Sequence, residues 1–298
     1  MSERIKSEIV LVTPELATKY LSFNDGNRKV RQAWVSYLEN VIKSGEWKAT
    51  HQGIAFSEAG SLLDGQHRLM AIVQAGIPVN LLVTYGLPDE SFSVIDSGIK
   101  RTDVDLTRLP KRTVEIIKFF MDLVSFEGFF TTRSSKTRKA TPAQIHAYEK
   151  VLGVFCDLVE KRVPSRARIF STAPVVSAAI YSMMIGESID YVIETYRQLV
   201  HGDTQDMYPI SRSAVRQVLT GKISITGGSE TRLDNFVRFV GVFKESNKNN
   251  LKLIARDRES VIREVCESLK PWFSDGIKGR AKNKVEDVKS NLTDQLSA

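Results

Sequence analysis

The chain has 298 residues, 42% of them hydrophobic and 26% charged, which excludes a disordered or fibrous protein and leaves room for two ordinary domains. No apolar run approaches the ~18 residues of a membrane span, the polar start is no secretory signal, and Cys156 and Cys266 stand far apart without a C-x-x-C spacing; no disulfide, zinc or haem is expected, and the address is cytoplasmic. The net charge of +7 is unevenly spread: residues 1–110 hold 12 basic and 13 acidic side chains, leaving 30 basic and 22 acidic ones for the rest, so an anionic partner is expected there.

In chain order, Ile9–Val12 reads as a strand and Thr13-Pro14 as the N-cap and first residue of a short helix. After the turn-rich Asn24-Asp25-Gly26-Asn27, apolar residues at Val30, Trp34, Leu38 and Val41 predict an amphipathic helix that stops at Ser44-Gly45. Ile54–Phe56 and Leu62-Leu63 flank a glycine-containing reversal, a hairpin ending at Asp64-Gly65. Leu69, Ile72 and Val73 then follow helical spacing to Gly76, and Val79–Thr84 is a further strand. This order describes a small α/β (α+β) domain over residues 1–109.

Strand end, glycine and helix start meet at Asp64-Gly65-Gln66-His67-Arg68. Such a junction suits phosphate: helix N–H groups and the dipole's positive end face outward, Gly65 admits close approach, and His67 and Arg68 add donors. Asp64 is a candidate for holding Mg²⁺ through water or accepting a ribose hydroxyl proton. Alternatively, Asp64 caps the helix and Arg68 pairs with a surface carboxylate.

Gly65-Gln-His-Arg-Leu-Met-Ala71 resembles the Gly-Glu-Arg-Arg-x-x-Ala box of the ParB N-terminal domain and the Gly-Cys-His-Arg box of sulfiredoxin, which shares that fold. Asp64 before it makes the Asp-Gly-Gln-His-Arg string of DGQHR proteins such as the DndB-type regulators of DNA phosphorothioation, and is similar to the Asp-Gly-x-His-Arg of archaeal free-serine kinases. With Gly45-Glu-Trp47, Thr50–Phe56, Asp96-Ser-Gly98 and Arg101, the stretch of about residues 5–109 resembles phage and prophage proteins of this superfamily. The resemblance implies a ParB/sulfiredoxin-like fold and a nucleotide, CTP in ParB or ATP in sulfiredoxin, bound with Mg²⁺ at Gly65, Gln66, His67 and Arg68.

Two departures narrow this. Gln66 stands where sulfiredoxin has its nucleophilic cysteine, so sulfinic acid reduction is excluded. No Glu-Asn-x-x-Arg string follows Thr84, which argues against a CTP-operated clamp. Thr50, His51 and Gln52, where the resemblance also concentrates, are candidates for the base or sugar side of a nucleotide. Lys100 and Arg101, after the turn Asp96-Ser-Gly98, are candidates to clamp a polyphosphate or a DNA backbone. Thr102 caps the helix that follows, with Asp103 and Asp105 as first-turn dipole partners.

Beyond Pro110 the chain reads as a basic, mainly α-helical domain over 110–274 and a polar tail over 275–298. Helices are expected over Val114–Val124, from Thr141-Pro142 toward Val159, and around 175–184, 189–200, 213–219, 233–243 and 261–269. The hydroxyl-rich loop 131–139 carries Arg133, Lys136, Arg138 and Lys139 and is a candidate DNA contact, which Lys161, Arg162, Arg166 and Arg168 would extend. Phe119 and Phe120 fall at core spacing. The leading expectation is a ParB-like, nucleotide-binding, DNA-associated protein acting in phage DNA metabolism or its regulation, in a host cytoplasm. Two alternatives stay open: a phosphotransferase or phosphodiesterase/nuclease using Asp64 and His67 as catalytic groups, and a degenerate fold that binds a host protein. A homo-oligomer is open under any of them.

Overall fold

The computed structural model describes residues 5–24, 27, 29–93, 102–124, 140–164, 169–202, 206–253, 256–273 and 290. The loop 131–139, Lys100, Arg101, Arg166, Arg168 and the tail's remaining positions lie outside them. The protein is mixed α/β and divides into two compact units, residues 1–101 with 136–143 and residues 102–135 with 144–298.

The first unit is built on a four-stranded mixed sheet of order β1-β4-β2-β3, formed by β1 (Lys6–Val12), β2 (Ile54–Ser57), β3 (Leu62–Asp64) and β4 (Val79–Leu87). The β2–β3 hairpin is antiparallel as expected, whereas β2 runs parallel to β4 and β4 antiparallel to β1. Strand alternation sends Val10 and Val12 of β1, and Val79, Leu81 and Val83 of β4, to the face that packs on three helices. These are α1 (Pro14–Leu21), α2 (Gln32–Lys43) and α3 (Gln66–Ala75). Thr13 caps α1 by accepting the Leu16 N–H at 3.2 Å, and Gly76 ends α3 at φ +69°.

The inward stripe of α2 differs from the expected one. It is Val35, Leu38 and Ile42, while Trp34 stands 37% exposed and stacks on Tyr37 with ring centroids 4.9 Å apart. Two interleaved apolar stripes share Leu38, and periodicity alone cannot choose between them. The helix starts only at Gln32, which leaves Val30 ahead of it, and the two rings cover one another at the surface.

The second unit is helical. Its elements are α4 (Asp103–Thr107), α5 (Lys111–Val124), α6 (Pro142–Arg162), α7 (Ala173–Met184), α8 (Ile189–His201), α9 (Pro209–Leu219), α10 (Ser229–Val242) and α11 (Arg258–Phe273). Apolar or small on all sides, α7 is buried from Pro174 to Met184 and forms the centre, packed by α5, α8 and α10. Phe119 and Phe120 belong to this core, Phe119 lying 5.4 Å from the Phe236 ring. Thr102 and Asp105 close a capping box on α4, and Asp103 pairs with Lys118 of α5 at 2.6 Å. Cys156 and Cys266 are buried thiols, and Cys266 Sγ donates to the Val124 carbonyl at 3.6 Å. Among the described residues no helix is long and apolar enough to cross a membrane.

Candidate functional site

The Asp64–Arg68 box sits where β3 passes into α3. Gly65 makes the turn at φ +106°, and a Cβ there would lie 2.2 Å from Cγ2 of Ile54; only glycine fits both the torsion and the space. Leu69 is the first residue whose N–H reaches an intrahelical carbonyl, that of Gly65 at 3.0 Å, so the preceding amides point out of the helix end.

The four side chains have unlike environments. Asp64 accepts the Gly65 N–H on Oδ1 at 2.6 Å and Arg68 Nη1 on Oδ2 at 3.3 Å. The same Nη1 donates to the Gly53 carbonyl at 3.0 Å. Among the described residues Nη1 carries every contact of the guanidinium, whose side chain is 20% exposed beside a 27% exposed Asp64. Arg68 is thus fixed by a charge-assisted bond and a backbone carbonyl while it still meets solvent.

Gln66 and His67 are buried, 5% and 7% exposed. Gln66 Oε1 accepts from Asn24 Nδ2 at 3.4 Å. His67 Nε2 accepts the N–H of Arg31, the N-cap residue of α2, at 3.0 Å. An imidazole that accepts on Nε2 keeps Nδ1 as its donor, and this bond ties α3 to the start of α2. Asn27 Nδ2 reaches both Asn24 Oδ1 at 2.5 Å and the Leu62 carbonyl at 2.6 Å, and the Leu62 N–H donates to Phe23 O at 2.8 Å. Phe23, Asn24, Asn27 and Arg31 therefore pack on β3 and the start of α3.

Thr50, His51 and Gln52 are exposed and directly precede Gly53, whose carbonyl Arg68 holds. Thr50 Oγ1 accepts the Gln52 N–H at 3.2 Å, and the Gly53 N–H reaches His51 O at 3.2 Å, a tight turn. A Cβ on Gly53 would fall 1.6 Å from the Leu82 carbonyl oxygen, so glycine is what lets this turn lie against β4. The structure thus brings Gly53, the residue after Thr50–Gln52, onto Arg68. Lys100, Arg101, Arg133, Lys136, Arg138 and Lys139 lie outside the described residues.

Sequence reading missed Asn24, Asn27, Arg31 and Gly53 as parts of this junction. The Asn-rich turn was visible, but its pairing with β3 depends on contacts up to 42 positions apart. Among the described residues there is no group of three or more His, Cys, Asp or Glu that could hold a metal ion, so a protein-held ion at the junction would rest on Asp64 alone.

The second unit holds a separate groove of about 550 Å³ lined by Arg162, Tyr191, Glu194, Arg197, Tyr208 and Lys248, among others. Tyr191 and Tyr208 stack with centroids 5.5 Å apart, Lys248 lies 4.3 Å above the Tyr208 ring, and Glu194 holds Arg197 at 2.6 Å. Burial pushes the Tyr191 hydroxyl up to about 12, and that hydroxyl donates to Val242 O at 2.9 Å. Cations and anions balance in this groove, unlike a phosphate site. Comparisons with family models, curated proteins and solved structures find no match to the chain.

Proposed function

We propose that the chain is a nucleotide-binding, DNA-associated protein of ParB/sulfiredoxin-like type, in which the Asp64–Arg68 junction takes the phosphates of ATP or CTP and the basic excess beyond residue 110 engages DNA. The observation that carries this reading is Arg68. Its guanidinium is anchored by Asp64 and the Gly53 carbonyl at a helix start, yet part of it is open to solvent, which is a preorganised anion contact. Gly65, packed on Ile54, makes the turn that sets Arg68 at the helix start, and Thr50–Gln52, which precede the Gly53 that Arg68 holds, are the candidates for the sugar or base. Mg²⁺ would arrive with the triphosphate and be held by phosphate oxygens and water, with Asp64 as its candidate partner through water.

Binding without turnover is the simpler assignment, because Asp64 and His67 both serve to position other groups, Asp64 holding Arg68 and His67 Nε2 holding the start of α2. The phage setting and the role in DNA metabolism or its regulation rest on the sequence resemblance.

Calorimetric titration of the full-length protein with ATP, CTP and GTP, each with Mg²⁺, tests the reading. One nucleotide binds the wild type without product formation, and Arg68→Ala weakens it about tenfold to a hundredfold, as expected when a hydrogen bond to a charged group worth ~1.5–3 kcal/mol is lost. Thermal melts of Arg68→Ala and Arg68→Lys separate that loss from unfolding. A folded Arg68→Ala that binds as well as the wild type, or a wild type that binds none of the three, contradicts the proposal.

A further inference from the structure

The positive charge of the second unit is concentrated in one stretch. Residues 207–256 hold nine basic and three acidic side chains, six of the net seven positive charges of the whole chain. Residues 207–229 contain no acidic residue at all. The helix α9 lies wholly inside this acid-free run.

Only one side of α9 is embedded. Ile210, Ser211, Ala214 and Val215 are its buried residues and share one half of the helix surface. Arg212, Ser213, Arg216 and the C-cap Thr220 fall on the other half, at the spacing of a single face. Arg212, Arg216 and Thr220 are exposed, and Leu219 beside them is 70% exposed. Cations continue past both ends. Lys222 follows the cap, and the Ile223 N–H returns to Gln217 O at 3.0 Å, which folds this turn back on the helix. At the start, the Ile210 N–H reaches the Lys248 carbonyl at 3.4 Å, and Lys248 Nζ lies 4.3 Å over the ring of the N-cap residue Tyr208.

These cations differ from others in the same unit. Arg197, Arg256, Arg258 and Lys270 each hold a carboxylate, those of Glu194, Glu264, Asp234 and Glu267 respectively. Among the described residues Arg216 and Lys222 have no carboxylate within ion-pair distance. Like charges gathered in this way repel one another, and an anionic surface laid over them relieves that repulsion.

The make-up of the face selects the anion. Guanidinium groups beside the hydroxyls of Ser213 and Thr220, with the Gln217 amide at the margin, are the groups that contact DNA phosphates and base edges. The face has no aromatic residue and one large apolar one, Leu219, too little for a membrane surface or the core of a protein interface. With 11 residues α9 is about 16 Å long, and a helix of ordinary width enters the major groove of a B-form duplex, about 12 Å across.

We infer that α9 is the helix this protein lays in the major groove of duplex DNA, with Arg212 and Arg216 facing the groove and Lys222 and Lys248 reaching phosphates at its two ends. The inference rests on the DNA association proposed above and assigns it to one helix.

The test is fluorescence anisotropy of the full-length protein on a labelled DNA duplex over a salt series, with circular dichroism melts confirming that each variant is folded. Arg216→Ala with Lys222→Ala weakens binding about tenfold and lowers the slope of log K against log salt by about 1–2, at roughly 0.9 per phosphate contact. Arg256→Ala with Lys270→Ala removes two charges that already have carboxylate partners, and changes the affinity by less than about twofold. Duplex RNA of the same sequence binds about tenfold more weakly, because its major groove is too narrow to admit a helix. A wild type that binds DNA while the Arg216 and Lys222 double variant binds it equally well overturns the assignment to α9 and leaves DNA association standing. A wild type that binds no duplex overturns both. Equal losses for the two double variants, or duplex RNA bound as tightly as DNA, also overturn the assignment, the first pointing to diffuse charge and the second to an RNA surface.

Discussion

Gly65→Ala perturbs the candidate site through a single methyl group. The backbone there sits at φ +106°, and the added Cβ would lie 2.2 Å from Ile54 Cγ2, 2.9 Å from its Cβ and 3.1 Å from its Cα. The obstacle is a residue of β2 at 1% exposure, so it cannot swing aside as a flexible side chain could. The left-handed torsion costs about 1–2 kcal/mol for a residue with a Cβ, and forcing a methyl into packed space adds about 1–3 kcal/mol. A total of roughly 2–5 kcal/mol is large beside the 5–15 kcal/mol that holds a typical domain. Urea unfolding followed by tryptophan fluorescence reads it, since Trp34 and Trp47 both lie in the first unit. With m of about 1–3 kcal/mol per molar, the midpoint falls by roughly 1–3 M. Gly60→Ala is the control: its φ is +87° but nothing lies within 4 Å of the added methyl, so it bears the torsional cost alone. In the double variant with Ile54→Ala, the clash with Cγ2 disappears and the two substitutions couple favourably by about 1–2 kcal/mol. Equal losses for Gly65→Ala and Gly60→Ala, or no coupling with Ile54→Ala, refute the close-approach argument.

Neutralising Arg133, Lys136, Arg138 and Lys139 together lowers DNA affinity for all sequences and flattens the slope of log K against log salt by up to about 3–4, at roughly 0.9 per phosphate contact; an unchanged slope excludes the loop 131–139 as the contact. Burial pushes the Cys156 thiol up to about 12, from an ordinary value of 9.0. Because the folded value is the higher one, this contribution is full below pH 9 and is lost as pH rises toward 12, with a slope approaching ~1.4 kcal/mol per pH unit. Denaturant midpoints measured between pH 8 and 11 therefore fall less steeply in Cys156→Ala than in the wild type, and identical slopes contradict the assignment.

Local chemistry made much of the fold legible. Thr13-Pro14 marks the start of α1, Gly76 the end of α3, Thr102 the cap of α4 and the Gly60 reversal the β2–β3 hairpin, each through interactions within a few residues. Pairing across the chain was not legible: β2 lies parallel to β4, and this makes β1 the edge, but no local pattern encodes which strand meets which. The junction was read in the same partial way. Gly65 and Arg68 could be singled out because a turn and a helix start need them, whereas the burial of Gln66 and His67 depends on Asn24 and Arg31, brought in by tertiary packing. That His67 accepts the Arg31 N–H on Nε2 is likewise a matter of which segment packs beside it.

The proposed phosphate binding at the start of α3 is read in the amide and arginine Nε–H spectrum of isotopically labelled protein during titration with ATP or CTP and Mg²⁺. The largest shifts are expected on the amides of Gly65 to Arg68 and on the Arg68 side chain, with smaller ones over Thr50 to Gln52. Saturable binding whose shifts instead gather around Tyr191, Tyr208 and Lys248, with residues 65–68 unmoved, would contradict it.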